Sequence, residues 1–166
     1  MSDLTDIVNL ASSAVTLLKS NETQSMGSLA TALPRGVDPL KTGGNWRRVT
    51  NPLMMTITWP ALHPTFASDT VISLGVIWTF GGSVDGKGRF IKDAEAYVKV
   101  GSVTATYNFD VTAKFAESGT PIGTEPVAML TGTFNVVRSR TIFGVVDSSV
   151  YGFKILGDGS GEMVEL

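Results

Sequence analysis

Residues 93–115 alternate between apolar and polar side chains over two consecutive runs that meet at Gly101-Ser102. The apolar face of the second run carries Val103, Ala105, Tyr107, Phe109, Val111, Ala113 and Phe115. A period of two is typical of a β-strand with one buried face and one face in water. The glycine-first turn predicts a type II′ hairpin, in which Val98 lies opposite Ala105 and the other pairs on this face are also apolar.

After Trp46 the chain continues as short β-type runs separated by Gly, Pro, Asp and Ser. We expect about eight strands: Leu53–Trp59, Thr70–Phe80, Arg89–Val100, Ser102–Phe115, Val127–Val137, Thr141–Val146, Val150–Leu156 and Glu162–Leu166. No helical segment of crossover length separates these runs, so antiparallel pairing is favoured over βαβ units. The sequence therefore predicts an all-β domain over residues 46–166, an antiparallel β-sandwich of jelly-roll-like type, with a closed β-barrel as the alternative.

The N-terminal segment follows a different period. Three-and-four spacing relates Leu4, Ile7, Val8, Ala11, Ala14, Val15 and Leu18. This spacing predicts an amphipathic helix over residues 4–18, with Ser2 or Asp3 placed to cap its first turn. Residues 20–45 are rich in Ser, Thr, Gly and Pro without a sustained period, which predicts an extended arm. Residues 1–45 are therefore expected to form a helix-and-arm unit ahead of the β domain.

The apolar face of the predicted helix needs a partner: its own sheet, a second copy of the chain, or a membrane. We expect oligomer contacts from Leu4, Ile7, Val8, Ala11, Val15 and Leu18. The strict four-three alternation of five of these residues, all but Ile7, suits packing against another helix as well as against a sheet. A membrane is less favoured, since the polar side lacks the cationic residues that interfacial helices carry. The expected partner is thus another copy of this chain in a homo-oligomer.

The composition excludes several classes of protein. A chain of 166 residues with 43% hydrophobic residues can bury one substantial core, and without cysteine it forms neither disulfides nor thiolate sites. A net charge of -2 lacks the excess of Lys and Arg that a general polyanion binder needs. The basic clusters Trp46-Arg47-Arg48 and Arg138-Ser139-Arg140 are therefore no strong nucleic-acid signal, and arginines at 138 and 140 are expected to protect an edge strand.

The start of the chain also bears on where the protein is made. Asp3 and Asp6 stand where a signal peptide would carry positive charge. We therefore expect no N-terminal secretion signal, and synthesis in the cytoplasm or incorporation into an assembled particle.

No motif of the sequence predicts catalysis. His63 is the only histidine, and no serine lies in a G-x-S-x-G elbow. The Gly81–Gly88 loop lacks the helix that follows a P-loop, and Gly157–Glu162 lacks the ligand spacing of an EF-hand, so both predict turns. We expect no catalytic residue, no cofactor and no metal ion.

A weak candidate for a polar or ion site lies on the wet face of the predicted hairpin. Its residues are Asp93, Glu95, Asn108 and Asp110. Carboxylates that meet across two strands can raise one another's pKa or bind Ca²⁺. The same register puts Lys92 on the apolar face, so we expect the ladder to end or bulge near Asp93.

A helix ahead of a cysteine-free sandwich resembles the layout of actinoporin-type pore formers, a resemblance of architecture that covers no motif and assigns no residue. The sequence favours a non-enzymatic structural protein, a coat- or scaffold-like subunit that self-assembles through its N-terminal helix and arm. The alternatives are a ligand-binding β-barrel or a pore-forming, membrane-interacting protein, and, more weakly, a carboxylate-dependent enzyme.

Overall fold

The computed structural model describes residues 7–11, 15–19, 22–23, 28–34, 45–60, 69–84, 86–102, 107–116, 127–140 and 144–166. These residues contain twelve strands and no helix. The strands are β1 Ile7–Ala11, β2 Val15–Lys19, β3 Glu22–Thr23, β4 Ser28–Pro34, β5 Arg47–Arg48, β6 Leu53–Trp59, β7 Thr70–Val84, β8 Lys87–Ser102, β9 Tyr107–Phe115, β10 Met129–Arg140, β11 Gly144–Leu156 and β12 Gly161–Glu165.

The strands form two antiparallel sheets. Sheet 1 has the order β1-β4-β8-β7-β5, with β6 also paired to β7, and sheet 2 has the order β12-β11-β10-β9-β2-β3. The prediction of an all-β, antiparallel, sandwich-like fold is confirmed. The sheets do not close on each other, so the closed barrel considered as an alternative is wrong.

The order of the strands differs between the sheets. In sheet 1 the order β4-β8-β7-β6 is that of a Greek key, whereas β9 to β12 in sheet 2 form a meander. A jelly roll is built from two Greek keys, and the described strands contain one. The jelly-roll-like topology is therefore not confirmed.

The core lies between the two sheets and is built by the alternation that the sequence predicts. On β9 the inward side chains Tyr107, Phe109, Val111, Ala113 and Phe115 are buried, whereas Asp110 and Lys114 are exposed. Sheet 1 supplies Ile72, Leu74, Val76 and Trp78 from β7. The rings of Phe115 and Phe153 meet edge to face at 5.3 Å beside Gly132. A Cβ at Gly132 would collide with the Phe153 ring, so this position requires glycine.

The hairpin predicted at Gly101-Ser102 is wrong. Both residues belong to β8, which pairs with β7 and places Val98 opposite Leu74. β9 lies in the other sheet and pairs with β10 and β2. The chain therefore passes from sheet 1 to sheet 2 after Ser102. Alternation determines which face is buried, but it does not determine which strand is the neighbour.

A tight hairpin occurs instead between β7 and β8. Val84 lies opposite Lys87, and Gly86 between them has a φ of 74°, which an L residue adopts at a cost. The turn predicted within Gly81–Gly88 is confirmed, although the strands extend further into that segment than we expected.

The N-terminal segment adds strands to both sheets. β1 pairs with β4 from Ile7 opposite Pro34 to Ala11 opposite Ala30, and β2 pairs with β9. The helix predicted over residues 4–18 is not confirmed, since the described residues of this range are extended strands. Backbone groups at the edges of β4 and β9 offer pairing partners, and β-branched residues favour the extended form.

β4 lies within the segment that we predicted as an extended arm. Its residues Ala30, Ala32 and Leu33 are buried, and it pairs with β8 as part of sheet 1. The sequence did not predict this strand, because alternating Ala and Thr residues give only a weak hydrophobic period. This part of the chain therefore contributes to the core.

Candidate functional site

The residues of the predicted polar or ion site lie in different sheets. Asp93 and Glu95 are on β8 in sheet 1, and Asn108 and Asp110 are on β9 in sheet 2. The register that would bring them together does not occur. Within the described ranges, no group of three or more His, Cys, Asp or Glu side chains could hold a metal ion.

Asp93 occupies a β-bulge, near the position where we expected one. Ile77 lies opposite Glu95 and Thr79 lies opposite Lys92, so β8 has one residue more than β7 between these pairs. Asp93 has a φ of 53°, in the left-handed region. The extra residue allows Ile91 and Ala94 both to be buried in the core.

A charged side chain lies between the sheets at one end of the sandwich. Arg138 continues the inward-facing series of β10 after Phe134 and Val136. Its Nη2 donates to Asp147 Oδ2 at 2.7 Å. Its Nε is buried and has no hydrogen-bond partner.

Aromatic rings from both sheets enclose this guanidinium. Its Cζ lies 5.1 Å from the ring centroid of Tyr107 on β9 and 5.6 Å from that of Trp59 on β6. The Trp59 ring also contacts Phe109, with centroids 4.9 Å apart. We call these residues, with Asp147, the Arg138 cluster. The Arg138 cluster therefore links the two sheets at this end of the sandwich.

The sequence did not reveal this cluster. Arg138 was expected to protect an edge strand, but β10 lies between β9 and β11. The available signal was its spacing of two from Val136, which places it on the buried face.

The opposite end of the sandwich is joined through the backbone. Ala128 N donates to Arg89 O at 2.8 Å, and Gly157 N donates to Ala128 O at 2.8 Å. Trp78 Nε1 donates to Leu156 O at 3.1 Å. A Cβ at Gly157 would collide with the carbonyl oxygen of Arg89, so only glycine permits this approach.

The turn after Gly157 is stabilised by one carboxylate. The Ser160 backbone N and Oγ donate to Asp158 Oδ1 at 2.9 Å and 2.6 Å. These hydrogen bonds from Ser160, followed by the positive charge of Arg89, hold the pKa of Asp158 below its ordinary value. The segment is therefore a turn, as predicted.

The outer face of sheet 2 carries an open depression of about 290 Å³ near the C-terminus. It is lined by Ala116, Thr131, Gly132, Thr133, Gly152, Phe153, Lys154, Glu162, Val164 and Leu166. Leu166 is 74% exposed and Val164 is 50% exposed. The charged groups at the rim, Lys154 and Glu162, already pair with each other at 2.8 Å. The depression therefore offers apolar contact area and no reactive group.

On the outer face of sheet 1 a tyrosine covers a glycine. The Tyr97 ring occupies the space that a Cβ of Gly75 would need. Burial, and secondarily the charge of Glu95, raise the pKa of the Tyr97 phenol. An aromatic ring over a strand glycine stabilises a sheet, so this contact is structural.

The described residues among those expected to make oligomer contacts lie on β1 and β2, at or next to the edges of the two sheets. Ile7, Val8 and Ala11 are on β1 at the edge of sheet 1. Val15 and Leu18 are on β2, which lies between β9 and the short β3. Leu4 and His63 fall outside the described residues.

Comparison with known proteins assigns no family to the chain. No protein-family model, curated protein or solved structure matches it. Among the described residues, no helix has the length and hydropathy to cross a membrane. The functional interpretation therefore depends on the geometry of the chain itself.

Proposed function

We propose that this chain is a non-enzymatic structural subunit, coat- or scaffold-like, that assembles with copies of itself through its N-terminal strands. One observation carries the proposal: the segment adds a strand to each of the two sheets, β1 beside β4 and β2 beside β9. A segment that completes both sheets is well placed to join two copies, because the same strands can complete the sheets of a neighbour.

Strand addition suits exchange between copies for a physical reason. The pairing depends on backbone hydrogen bonds, and an identical strand from a second copy makes the same bonds in the same register. Each of these strands has five residues, so few contacts must break when one leaves its own sheet. The exchanged and unexchanged forms then differ little in free energy, and concentration favours the assembled form.

Among the described residues, large side chains are fully buried in the core, the largest being Phe90, Phe109, Phe115 and Phe134. A packed core of this kind suits a structural role. Ligand binding is still a prediction, to be tested with the folded full chain. The pore-forming alternative is still a prediction, and leakage of dye from liposomes on addition of the full chain tests it.

Engineered cysteines test strand exchange directly, because the chain has no cysteine of its own. Leu10 and Thr31 face each other across β1 and β4, within the geometry of a disulfide. With Leu10→Cys and Thr31→Cys, oxidation should give covalent dimers or larger species on a non-reducing gel.

A matched pair controls for chance cross-linking. Asn135 and Val150 face each other across β10 and β11, away from the N-terminal strands. The Asn135→Cys and Val150→Cys variant should stay a covalent monomer. If the pair at positions 10 and 31 also closes only within one chain, exchange of β1 does not occur.

Removal of the N-terminal strands tests the wider proposal. Size-exclusion chromatography with light scattering should find the full chain as an oligomer. A variant without residues 1–20 should dissociate or show a strongly concentration-dependent mass. A full chain that is monomeric at high concentration would refute self-assembly.

A further inference from the structure

Cationic side chains lie in one row across the outer face of sheet 1. Arg48 on β5 lies opposite Thr79 on β7, and Thr79 lies opposite Lys92 on β8. Directly opposed residues of an antiparallel pair point to the same face, about 5 Å apart. We call these three residues the basic row. Arg47 lies opposite Phe80 and points to the other face of the sheet. Thr79 and Lys92 lie on the two strands of one hairpin, whereas Arg48 precedes Thr79 by 31 residues and is brought beside it by the fold.

The hydroxyl at the centre of the row is already oriented. Arg48 Nη1 donates to Thr79 Oγ1 at 3.3 Å. The hydroxyl oxygen accepts this bond. Thr79 is buried, with 8% of its surface exposed. Thr79 therefore orients Arg48, and a cationic residue lies on either side of it.

Lys92 is held in place without losing its charge. Its Nζ lies 4.8 Å from the ring centroid of Trp46, a cation–π contact. The Trp46 ring occupies the space that a Cβ of Gly82 would need, so the ring is supported from the opposite side. This contact orders the ammonium group but leaves its full positive charge for an anion.

Among the residues that the structure describes, no carboxylate is recorded in an ion pair with Arg48 or Lys92. The recorded pairs join Arg138 to Asp147 and Lys154 to Glu162. Asp93 and Glu95 follow Lys92 on β8 and form no ion pair with Arg47, Arg48 or Lys92. The net charge of -2 for the whole chain acts weakly here, because charges beyond about 8–10 Å are screened at physiological salt. Glu95, opposite Ile77 on the same face, is the acidic group that an anion on the row would have to tolerate.

We infer that the basic row binds the phosphate groups of a single-stranded nucleic acid. An arginine fork and a lysine ammonium are the groups that proteins use for phosphate. The row lies on an open strand face, which suits an extended polyanion and encloses no mononucleotide. This activity goes beyond the proposed self-assembly and does not depend on it.

The small number of cations favours a nucleic acid over a membrane. Adsorption to anionic lipid takes clusters of about 4–8 Lys and Arg side chains, more than the row contains. A duplex-reading protein inserts a helix or a β-ribbon into a groove, and the row is a flat strand face. A single strand can bring successive phosphates to the row without either feature.

The test is fluorescence anisotropy with a labelled oligothymidylate of about 20 nucleotides, at salt between about 50 and 200 mM. The variant is Arg48→Gln with Lys92→Gln. We expect its dissociation constant at low salt to rise about 10-fold or more. The slope of log affinity against log salt should become shallower by about 1.4, at about 0.7 per lost phosphate contact.

The matched control is Lys114→Gln with Lys154→Gln, which removes the same charge from sheet 2. Its affinity should stay within about twofold of the parent if binding is local. The charge-preserving variant Arg48→Lys with Lys92→Arg should recover most of the affinity. Equal loss in the control and test variants would overturn the proposal.

Two further measurements complete the test. Thermal unfolding of each variant should match the parent, and Arg48→Gln alone, at an exposed position, serves if the double variant unfolds. Vesicles of phosphatidylcholine with phosphatidylserine provide the lipid comparison. Binding to these vesicles without binding to the oligonucleotide would also refute the proposal.

Discussion

The guanidinium carbon of Arg138 lies 5.6 Å from the centroid of the Trp59 ring, although the two residues belong to different sheets. Arg138 also pairs with Asp147 within its own sheet at 2.7 Å. Replacing each partner of Arg138 in turn therefore shows whether the aromatic contact or the ion pair contributes more to the free energy of unfolding.

Replacing Arg138 should lower the free energy of unfolding far more than replacing its carboxylate partner, Asp147. Arg138→Ala removes the stacking between the sheets and should lower the free energy of unfolding by about 2–3 kcal/mol. The Asp147 side chain is 39% exposed, so solvent screens the pair and Asp147→Ala should cost less than about 1 kcal/mol. Urea denaturation measures both variants. A larger cost for Asp147→Ala would show that the ion pair dominates.

Substitution of Gly157 should be far more damaging than substitution of Gly101. A Cβ at Gly157 meets backbone atoms of Arg89, which cannot move without disturbing β8. We expect Gly157→Ala to destabilise the protein by about 2–3 kcal/mol or more. At Gly101 a Cβ makes ordinary contacts of 3.5 Å with Val71, so Gly101→Ala should change stability by less than about 1 kcal/mol. Thermal unfolding of the two variants side by side decides the point.

Removing the hydroxyl of Thr31 should stabilise the protein. Thr31 Oγ1 is buried and has no hydrogen-bond partner. Since an unsatisfied buried polar group costs about 1–3 kcal/mol, Thr31→Val should raise the free energy of unfolding by about 1 kcal/mol. The control is Thr56→Val, because Thr56 Oγ1 lies 3.0 Å from Ser73 Oγ at an exposed position. A loss of stability in Thr31→Val would show that this hydroxyl is satisfied in solution.

The hydrogen-bonded carboxylate of Asp158 should make the stability of the fold depend on pH. Folding lowers the pKa of Asp158 below its ordinary value of 3.8, chiefly through hydrogen bonds from Ser160. A lowered pKa means that the carboxylate stabilises the fold above pH 3.8, and that this contribution is lost as the pH falls through the folded-state pKa. Ser160→Ala should therefore lower the melting temperature at neutral pH, and the difference should shrink in acid. A difference that is constant with pH would assign the effect to the turn backbone.

The sequence predicts single strands better than it predicts their neighbours. β6 was expected at Leu53–Trp59 and occurs there residue for residue, and the buried face of β9 follows the predicted alternation. These properties are local. The partner of β8 is not, since both sheets present an apolar face and the turn residues Gly101-Ser102 fit a continuing strand as well as a hairpin.

The candidate sites were less predictable than the strands for the same reason. In the basic row, Lys92 meets Thr79 within one hairpin, but Arg48 meets Thr79 through a pairing between segments that are distant in sequence. Arg138 is recognised as inward-facing only once β10 is known to be a central strand. Conversely, the predicted acidic site required β8 to pair with β9. These strands lie in different sheets, so the four residues of that site do not come together.

The pairing of β2 with β9 has a consequence for the order in which the chain is made. Val15 lies opposite Ala113, so β2 is synthesised long before its partner. At about 5–20 residues per second, translation leaves this N-terminal strand without its partner for roughly 5–20 s. On a polysome, neighbouring nascent chains pass through the same interval together. Their early strands then meet one another's late strands while both are still unpaired, so pairing between chains can begin during synthesis.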